Sequence, residues 1–462
     1  MIDLIGFLVL AAALLVAARY RATSAEDYTV ASRALGLFPL VATLVMTEFN
    51  TSTLLAFAAT GYTAGPMALA MPLVFLVGLA FYTLTVARAW KRFDRTSVGE
   101  FFAARYSPRL GRAASAFLLL AMVGFTSTYV KSMTLLFSPF VPPGVPEPIL
   151  AAGLTLAVLT AILPGGLTAI VRTDVVGFVV TVMVVIALAG IGWDRASALG
   201  GLGSAFAPDQ LRVNPLAQWQ HPVLPFRFVS TLIVLTCFTY IAAPWYGQKV
   251  FAARDERTAV RAVGWSATLV FLLYGLAVLA AAFLRVTHPQ LADPQLAIPV
   301  MVRDWLPAGV RGAAFAVLFG AAFTTLAGVW SAMAAMVATD FTGTGPDAMA
   351  RQRHLVSGVA VLSWVGSVTL GSNILDRLIL ANIPVAALAF ALLAGFHWKR
   401  ASTAGAWASM VVGISWGIGC FVLVGEAGGY TWPWAMYGIP LVLVVGIVAS
   451  LLRPNARPRP GN

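Results

Sequence analysis

Met46-Thr47-Glu48-Phe49-Asn50-Thr51-Ser52-Thr53 places six polar residues in eight positions, inside an otherwise apolar run that extends from 37 to 62. A helix crossing ~30 Å of hydrocarbon needs about 20 mostly apolar residues. This run has the length but not a uniform centre. Ser, Thr and Asn compete with helical backbone bonds, and non-helical backbone at membrane depth persists only where it is buried or lines a cavity. The economical reading is a discontinuous helix that exposes carbonyls to an ion. The alternative is a continuous helix whose hydroxyls bond back to its own carbonyls.

Working outward, the whole chain suits such a helix. Of 462 residues 60% are hydrophobic and only 10% charged, too few to coat a soluble surface. The 41 Gly and 13 Trp fit close helix contacts and headgroup-level anchors. About thirteen transmembrane helices are predicted, near 3–19, 37–62, 66–90, 114–138, 147–164, 168–193, 226–247, 262–286, 311–340, 353–371, 375–396, 402–424 and 433–452. The run Leu4 to Ala18 follows Asp3 with no basic segment before it, and reads as an uncleaved first helix with its N-terminus outside. The net charge of +12 is scattered in short clusters, which reports topology and not a nucleic-acid partner. Of the 30 basic residues, Arg195, Arg212, Arg227, Arg285, Arg303, Arg311 and Arg377 fall in predicted outer segments and Lys131 falls inside the membrane. The remaining 22, Arg172 and Lys249 among them, are assigned to cytoplasmic segments, which puts the C-terminus inside. Outer loops 194–225 and 287–310 read as short interfacial helices or lids, and no soluble domain is expected around the bundle.

Other polar groups sit at depth. Glu48 and Lys131 are costly at a helix centre and usually face a cavity or each other; a structural ion pair, contact with a charged solute, and protonation of Glu48 all remain open. Thr324 and Thr325 offer the hard neutral oxygens an alkali cation prefers, although such pairs more often bond their own backbone. The turn from Gly165 to Asp174 sets a carboxylate inside the sixth helix, with Arg172 as a possible partner. In the seventh helix Thr236, Thr239 and Tyr240 precede Pro244-Trp245-Tyr246-Gly247, either a second break or a simple kink. Cys237 and Cys420 lie in apolar runs with no metal spacing, and the four His are in loops or at helix ends. No catalytic or nucleotide-binding motif stands in credible context, so an enzyme or an ATP-driven pump is not expected.

Several stretches resemble the sodium:solute symporter family: Asp27-Tyr28 through Gly36, Gly61-Tyr62 with Gly65, Ser97-Val98-Gly99-Glu100-Phe101-Phe102 through Arg105-Tyr106, Gly165-Gly166-Leu167 through Thr173-Asp174, Gln248-Lys249-Val250-Phe251-Ala252-Ala253, Ala321 to Asp340, and Gly395-Phe396-His397-Trp398-Lys399-Arg400. The resemblance implies a leucine-transporter fold with an inverted five-helix repeat and extra helices at both ends. It implies a sodium site made by the carbonyls of Met46, Phe49 and Ala321 and the hydroxyls of Thr324 and Thr325. Asp174 matches an acid associated with a further sodium site or with the ion's inward exit path. Glu48 matches an Asp that proline-type carriers use for sodium. Gly177 stands where many members have Gln, and Thr53 stands at the Gln position of sugar carriers, so sugar is not favoured.

The expected organisation is a first helix and loop over 1–36, a first repeat over 37–193, an outer loop over 194–225, a second repeat over 226–396, and two terminal helices with a tail over 397–462. The expected activity is sodium-coupled symport of a small organic solute, carboxylate or amino-acid-like, across the cell membrane by alternating access. One charge falling through 100 mV supplies about 2.3 kcal/mol, enough for roughly 50-fold accumulation per sodium before its concentration gradient is counted. The solute pocket is assigned to Glu48, Thr53, Lys131, Tyr240, Trp245 and Asn382. No cofactor beyond sodium and no obligatory protein partner is expected. Proton coupling through Glu48, a non-transporting sensor and a sodium channel are the rivals.

Overall fold

The computed structural model describes residues 1–20, 22–138, 141, 144–162, 166–342, 348–369, 374–426 and 428–455. Arg21, Gly165, Arg457, Arg459 and the ends of two expected helices (163–164 and 370–371) lie outside the described residues. Among the described residues the chain is all-helical, with a single isolated bridge between Leu35 and Ala253.

In chain order the helices are α1 (Ile2–Ala18), α2 (Ala25–Val30), α3 (Leu37–Glu48), α4 (Thr51–Ala64), α5 (Leu73–Thr85), α6 (Ala87–Phe93), α7 (Gly99–Arg105), α8 (Pro108–Phe137), α9 (Glu147–Ile162) and α10 (Gly166–Ser197). There follow α11 (Phe226–Tyr240), α12 (Pro244–Phe251), α13 (Glu256–Thr287), α14 (Ala297–Trp305), α15 (Val310–Val337), α16 (Ala348–Thr369), α17 (Ile374–Ala381), α18 (Ile383–Ala386), α19 (Ala389–His397), α20 (Thr403–Val424), α21 (Thr431–Pro433) and α22 (Ile439–Leu452).

Six of these helical segments are long and apolar enough to cross a membrane, and ten are if each bent pair counts as one span. Two of the bent pairs bear on the site: α3 with α4 turns by 60°, and α11 with α12 by 50°. Apolar side chains lie on the outside as well as in the core. Leu8, Val9, Leu84, Leu120, Met183, Ile186 and Leu423 are all more than half exposed, a surface stable only against lipid. The interior is apolar as well, but it holds a cluster of polar residues on α3 and α4 that includes Thr43, Thr47, Glu48, Asn50, Thr51 and Ser52.

α15 is the hub, with 89% of its most apolar window buried; it packs against α1, α10, α16, α8 and α3. Small residues permit that density. A Cβ on Gly61 would come within 2.4 Å of the Val278 carbonyl oxygen, so α4 and α13 touch backbone to backbone there. Loop residues 198–225 fold over the end of α4, where the Phe206 ring fills the space beside Gly65 and Met67 N–H donates to the Gln210 carbonyl at 2.8 Å. The other expected outer loop contains α14, a short helix packed on α4 and α10.

At the opposite face the motif residues act as structural clamps. Glu100 accepts from the Ser97 and Thr96 N–H groups, both at 3.0 Å, holding the turn that leads into α7. Asp340 accepts from Ser97 Oγ at 2.8 Å and Ser115 Oγ at 2.6 Å, tying α7 and α8 to the end of α15. Arg105 reaches the carbonyls of Gly395, Trp398 and Ala401. Leu35 N–H donates to Ala252 O and Arg254 N–H to Leu35 O, both at 3.0 Å, so the entry to α3 is stitched to the exit of α12.

Candidate functional site at the helix breaks

The helix over 37–62 is broken, as its central sequence suggests. α3 ends at Glu48, Phe49 leaves helical geometry at φ −79°, ψ 59°, and Asn50 begins α4 by accepting the Thr53 N–H on its side-chain oxygen at 3.0 Å. The Asn50 amide donates to the Glu48 carbonyl at 3.1 Å, and the Tyr274 hydroxyl donates to the same carbonyl. The break is thus held by α13 and by its own cap, which satisfies part of the backbone that leaves the helix.

Opposite the break stands α15. Thr325 Oγ1 lies 2.9 Å from the Met46 carbonyl oxygen and 2.9 Å from the Ala321 carbonyl oxygen, bridging α3 and α15. Thr324 Oγ1 lies 3.5 Å from Ala321 O, the edge of hydrogen-bonding distance. The structure therefore brings together Met46, Ala321, Thr324 and Thr325, four of the five residues expected at the sodium site. The fifth, Phe49, is at the break with its ring against Tyr274, centroids 4.7 Å apart. All five are buried. Carbonyl and hydroxyl oxygens without a nearby thiolate or imidazole are a hard donor set, suited to an alkali cation.

Beside the break lies a cavity of about 90 Å³, room for roughly three waters. Asn50, Thr53, Tyr129, Thr236, Tyr240, Trp245 and Asn382 line it together with aromatic and aliphatic residues of α4, α5, α8, α11 and α17. The lining includes Thr53, Tyr240, Trp245 and Asn382 of the expected solute pocket. Glu48 is buried at its edge, accepting from the Tyr240 hydroxyl through Oε2 while Oε1 has no hydrogen-bond partner.

Lys131 departs from expectation. Its ammonium pairs with Glu147 at the start of α9 and not with Glu48, and it does not line the cavity. The structural Glu48–Lys131 pair is therefore not formed: a long lysine at this level of α8 reaches the half-exposed Glu147 instead of the interior. Arg172 is likewise not the partner of Asp174; its guanidinium stacks on the Tyr20 ring, 4.8 Å from the centroid.

The cation buried next to the break is Lys249, which the charge pattern assigned to a cytoplasmic loop. Pro244 restarts a helix after the break at 241–243, so α12 continues through Lys249 to Phe251 and carries the side chain into the core at 2% exposure. Its ammonium lies 3.3 Å from Asp174 Oδ2 and 2.9 Å from the Thr43 carbonyl, and bonds the Thr47 hydroxyl. The apolar Val250-Phe251-Ala252-Ala253 directly after the lysine was the available signal. Asn50, Tyr129 and Tyr274 also went unassigned, because a polar or aromatic residue in a membrane helix does not reveal which way it faces.

A broken helix whose end meets hydroxyls of a packed neighbour, beside a cavity at the break, is the arrangement of ion-coupled membrane transporters. The model of the sodium:solute symporter family matches residues 28–413, and the chain belongs to that family. The family is made up of transporters, not enzymes. The sodium/pantothenate symporter of Escherichia coli (strain K12) is 28% identical over 423 residues, covering 86% of this chain and 84% of the relative. The sodium/pantothenate symporter of Haemophilus influenzae is 25% identical over 446 residues, covering 92% and 89%. Among solved structures, a Na+-coupled sialic acid symporter in a substrate-bound outward-open state superposes with TM-score 0.81 at 18% identity over 98% of both chains. A manganese transporter of Eremococcus coleocola gives TM-score 0.54 at 12% identity, covering 94% and 98%. The chain shares the sialic acid symporter's fold.

Proposed function

We propose that this protein couples the inward movement of sodium to uptake of a small organic carboxylate of the pantothenate class, by alternating access. The observation that carries the reading is the Thr325 hydroxyl set between the Met46 and Ala321 carbonyls at the α3–α4 break. Sodium held by Met46, Phe49, Ala321, Thr324 and Thr325 would draw α3 and α15 together and favour the outward-open form. Asp174, at the position that matches an acid of a further sodium site or of the exit path, is paired with the Lys249 ammonium.

The solute would occupy an expanded form of the cavity lined by Thr53, Tyr240, Trp245 and Asn382, with Glu48 at its edge. With Lys131 engaged elsewhere, a carboxylate is favoured by the N-termini of α4 and α12, which both open beside the cavity and carry partial positive charge. The identity to two sodium/pantothenate symporters over most of the chain supports that solute class.

The thirteen apolar runs each coincide with a helix or a bent pair; ten of these are long and apolar enough to cross, and α1, α9 and α16 would complete the thirteen. Helices α3–α10 (37–193) and α11–α19 (226–396) each open on a broken pair, which supports the inverted five-helix repeat. The segments 1–36 and 397–462 then flank the core, with 194–225 between its halves. An outside N-terminus, a cytoplasmic C-terminus and residence in the cell membrane follow from the basic-residue pattern, from which Lys249 is now removed.

The test is uptake of labelled pantothenate into proteoliposomes under an inward sodium gradient, against equal potassium or choline. Sodium-specific accumulation is expected. Uptake that ignores sodium and rises as outside pH falls would instead establish proton coupling, and solute binding with no accumulation under any gradient would establish a sensor.

A further inference from the structure

Lys249 and Asp174 form a pair that the sodium and solute sites do not use. Three oxygens converge on the Lys249 ammonium: the Asp174 carboxylate at 3.3 Å, the Thr43 carbonyl at 2.9 Å and the Thr47 hydroxyl. The Thr43 hydroxyl donates to the same carboxylate oxygen, and Thr324 stands beside Asp174. Both charged side chains are buried, at 2% and 0% exposure, and Asp174 Oδ1 has no hydrogen-bond partner. A carboxylate, a carbonyl and hydroxyls around one point are an alkali-cation donor set, and the point is filled by a cation covalently tied to α12.

We propose that Lys249 is a built-in cation that takes the place of a second sodium at Asp174, so that one sodium and not two is bound and carried in each cycle. The inference rests on the sodium-coupled reading above. Its physical basis is charge balance at Asp174, because a carboxylate that stays ionised when buried needs a partner, the Lys249 ammonium supplies one unit of positive charge, and a second cation at the same point would be repelled by it. The site adjoins the sodium site through α3, where Thr47 follows Met46, and through α15, where Thr324 precedes Thr325. For a monocarboxylate solute, one sodium per cycle moves no net charge.

The experiment counts sodium. Equilibrium binding of 22Na+ to the purified full-length protein is measured for wild type, Lys249→Ala, Lys249→Arg and Asp174→Asn, with charge movement in proteoliposomes recorded beside it. One ion per wild-type molecule is expected. Lys249→Ala vacates the pocket and should bind two, its sodium dependence of uptake steepening from first to second order and its accumulation changing about 50-fold per 100 mV. Lys249→Arg keeps the charge and should return the count to one, and Asp174→Asn should leave it at one.

Two ions bound by wild type, or one fewer in Asp174→Asn, would overturn the inference, as would a folded Lys249→Ala protein that still binds one. If Lys249→Ala does not fold, the wild-type count and Asp174→Asn decide alone. Binding of no sodium by wild type would overturn the sodium-coupled reading itself, a result distinct from a count of two.

Discussion

Thr325→Ala removes the hydroxyl together with one methyl group, and the effect of losing the hydroxyl can be worked from the site. In the wild type that hydroxyl stands 2.9 Å from each of two carbonyl oxygens on different helices. An interaction of this kind with a charged group is worth about 1.5–3 kcal/mol, so losing one of five sodium ligands should weaken sodium binding roughly 10- to 150-fold. At a sodium concentration of 100 Kd the wild type gains about 2.7 kcal/mol of stability, and a 100-fold weaker variant in the same buffer gains only about 0.4 kcal/mol. The assay is thermal unfolding of purified protein in sodium against choline at equal ionic strength. The wild type should unfold at a higher temperature in sodium, Thr325→Ala should lose most of that difference, and Thr325→Ser should keep it. The variant should also be less stable in choline, because Met46 O loses a buried partner at a cost of about 1–3 kcal/mol. A sodium-induced shift of wild-type size in a folded Thr325→Ala protein would refute the assignment.

Three further outcomes follow from particular contacts. Tyr240→Phe deprives the buried Glu48 carboxylate of its hydroxyl donor, and should lower stability by about 1–3 kcal/mol and raise the KM for solute, read by unfolding and uptake; unchanged values in both would remove Tyr240 from the pocket. Gly61→Ala drives a methyl into the Val278 carbonyl and should cost about 1–3 kcal/mol, whereas Gly153→Ala, with nothing within 4 Å, should be neutral by the same measurement. Asp27, in the first turn of α2 away from the membrane spans, is affected by burial, which raises its pKa, but hydrogen bonds from Tyr20, Thr168 and Thr23 outweigh this and hold it below the ordinary aspartate value. Its folded pKa is depressed, so its stabilisation is full above the ordinary carboxylate range and is lost as pH falls through the lowered value; Asp27→Asn should flatten the acid limb of a stability–pH profile, and an unaltered limb would count against it.

The break at 49–50 was legible because six polar residues at mid-span leave the backbone few ways to remain a plain helix. The Thr324–Thr325 pair was not legible from its own residues, since such pairs ordinarily bond their own helix. Only the family resemblance set it opposite Met46. Lys131 and Lys249 were read in reverse. Hydropathy along the chain reports how apolar a neighbourhood is, not which way a side chain turns. Lys131 lies in the middle of an apolar run, yet its long stem reaches Glu147 at the next helix. Lys249 follows a break that ended the predicted helix at 247, and it is buried because Pro244 starts another. Its partner lies 75 positions earlier, and no local window joins residues so far apart. The cavity has the same origin, for its lining is gathered from six helices that meet only in the folded bundle.

The separation of Lys249 from Asp174 also bears on how the chain is built. Synthesis delivers α10 to the bilayer before α12 exists, and an unpaired charge in a membrane helix is costly. During that interval Asp174 has no ammonium to meet, and of the partners it has in the finished bundle only the earlier α3 is already present, offering the Thr43 hydroxyl. The nascent chain therefore has reason to hold α10 against α3 until the second half arrives, so that docking of α12 satisfies two isolated charges in one step. A pair that neutralises itself in the mature protein thus joins an early helix to a late one, and its contact can form only when the later one is in place.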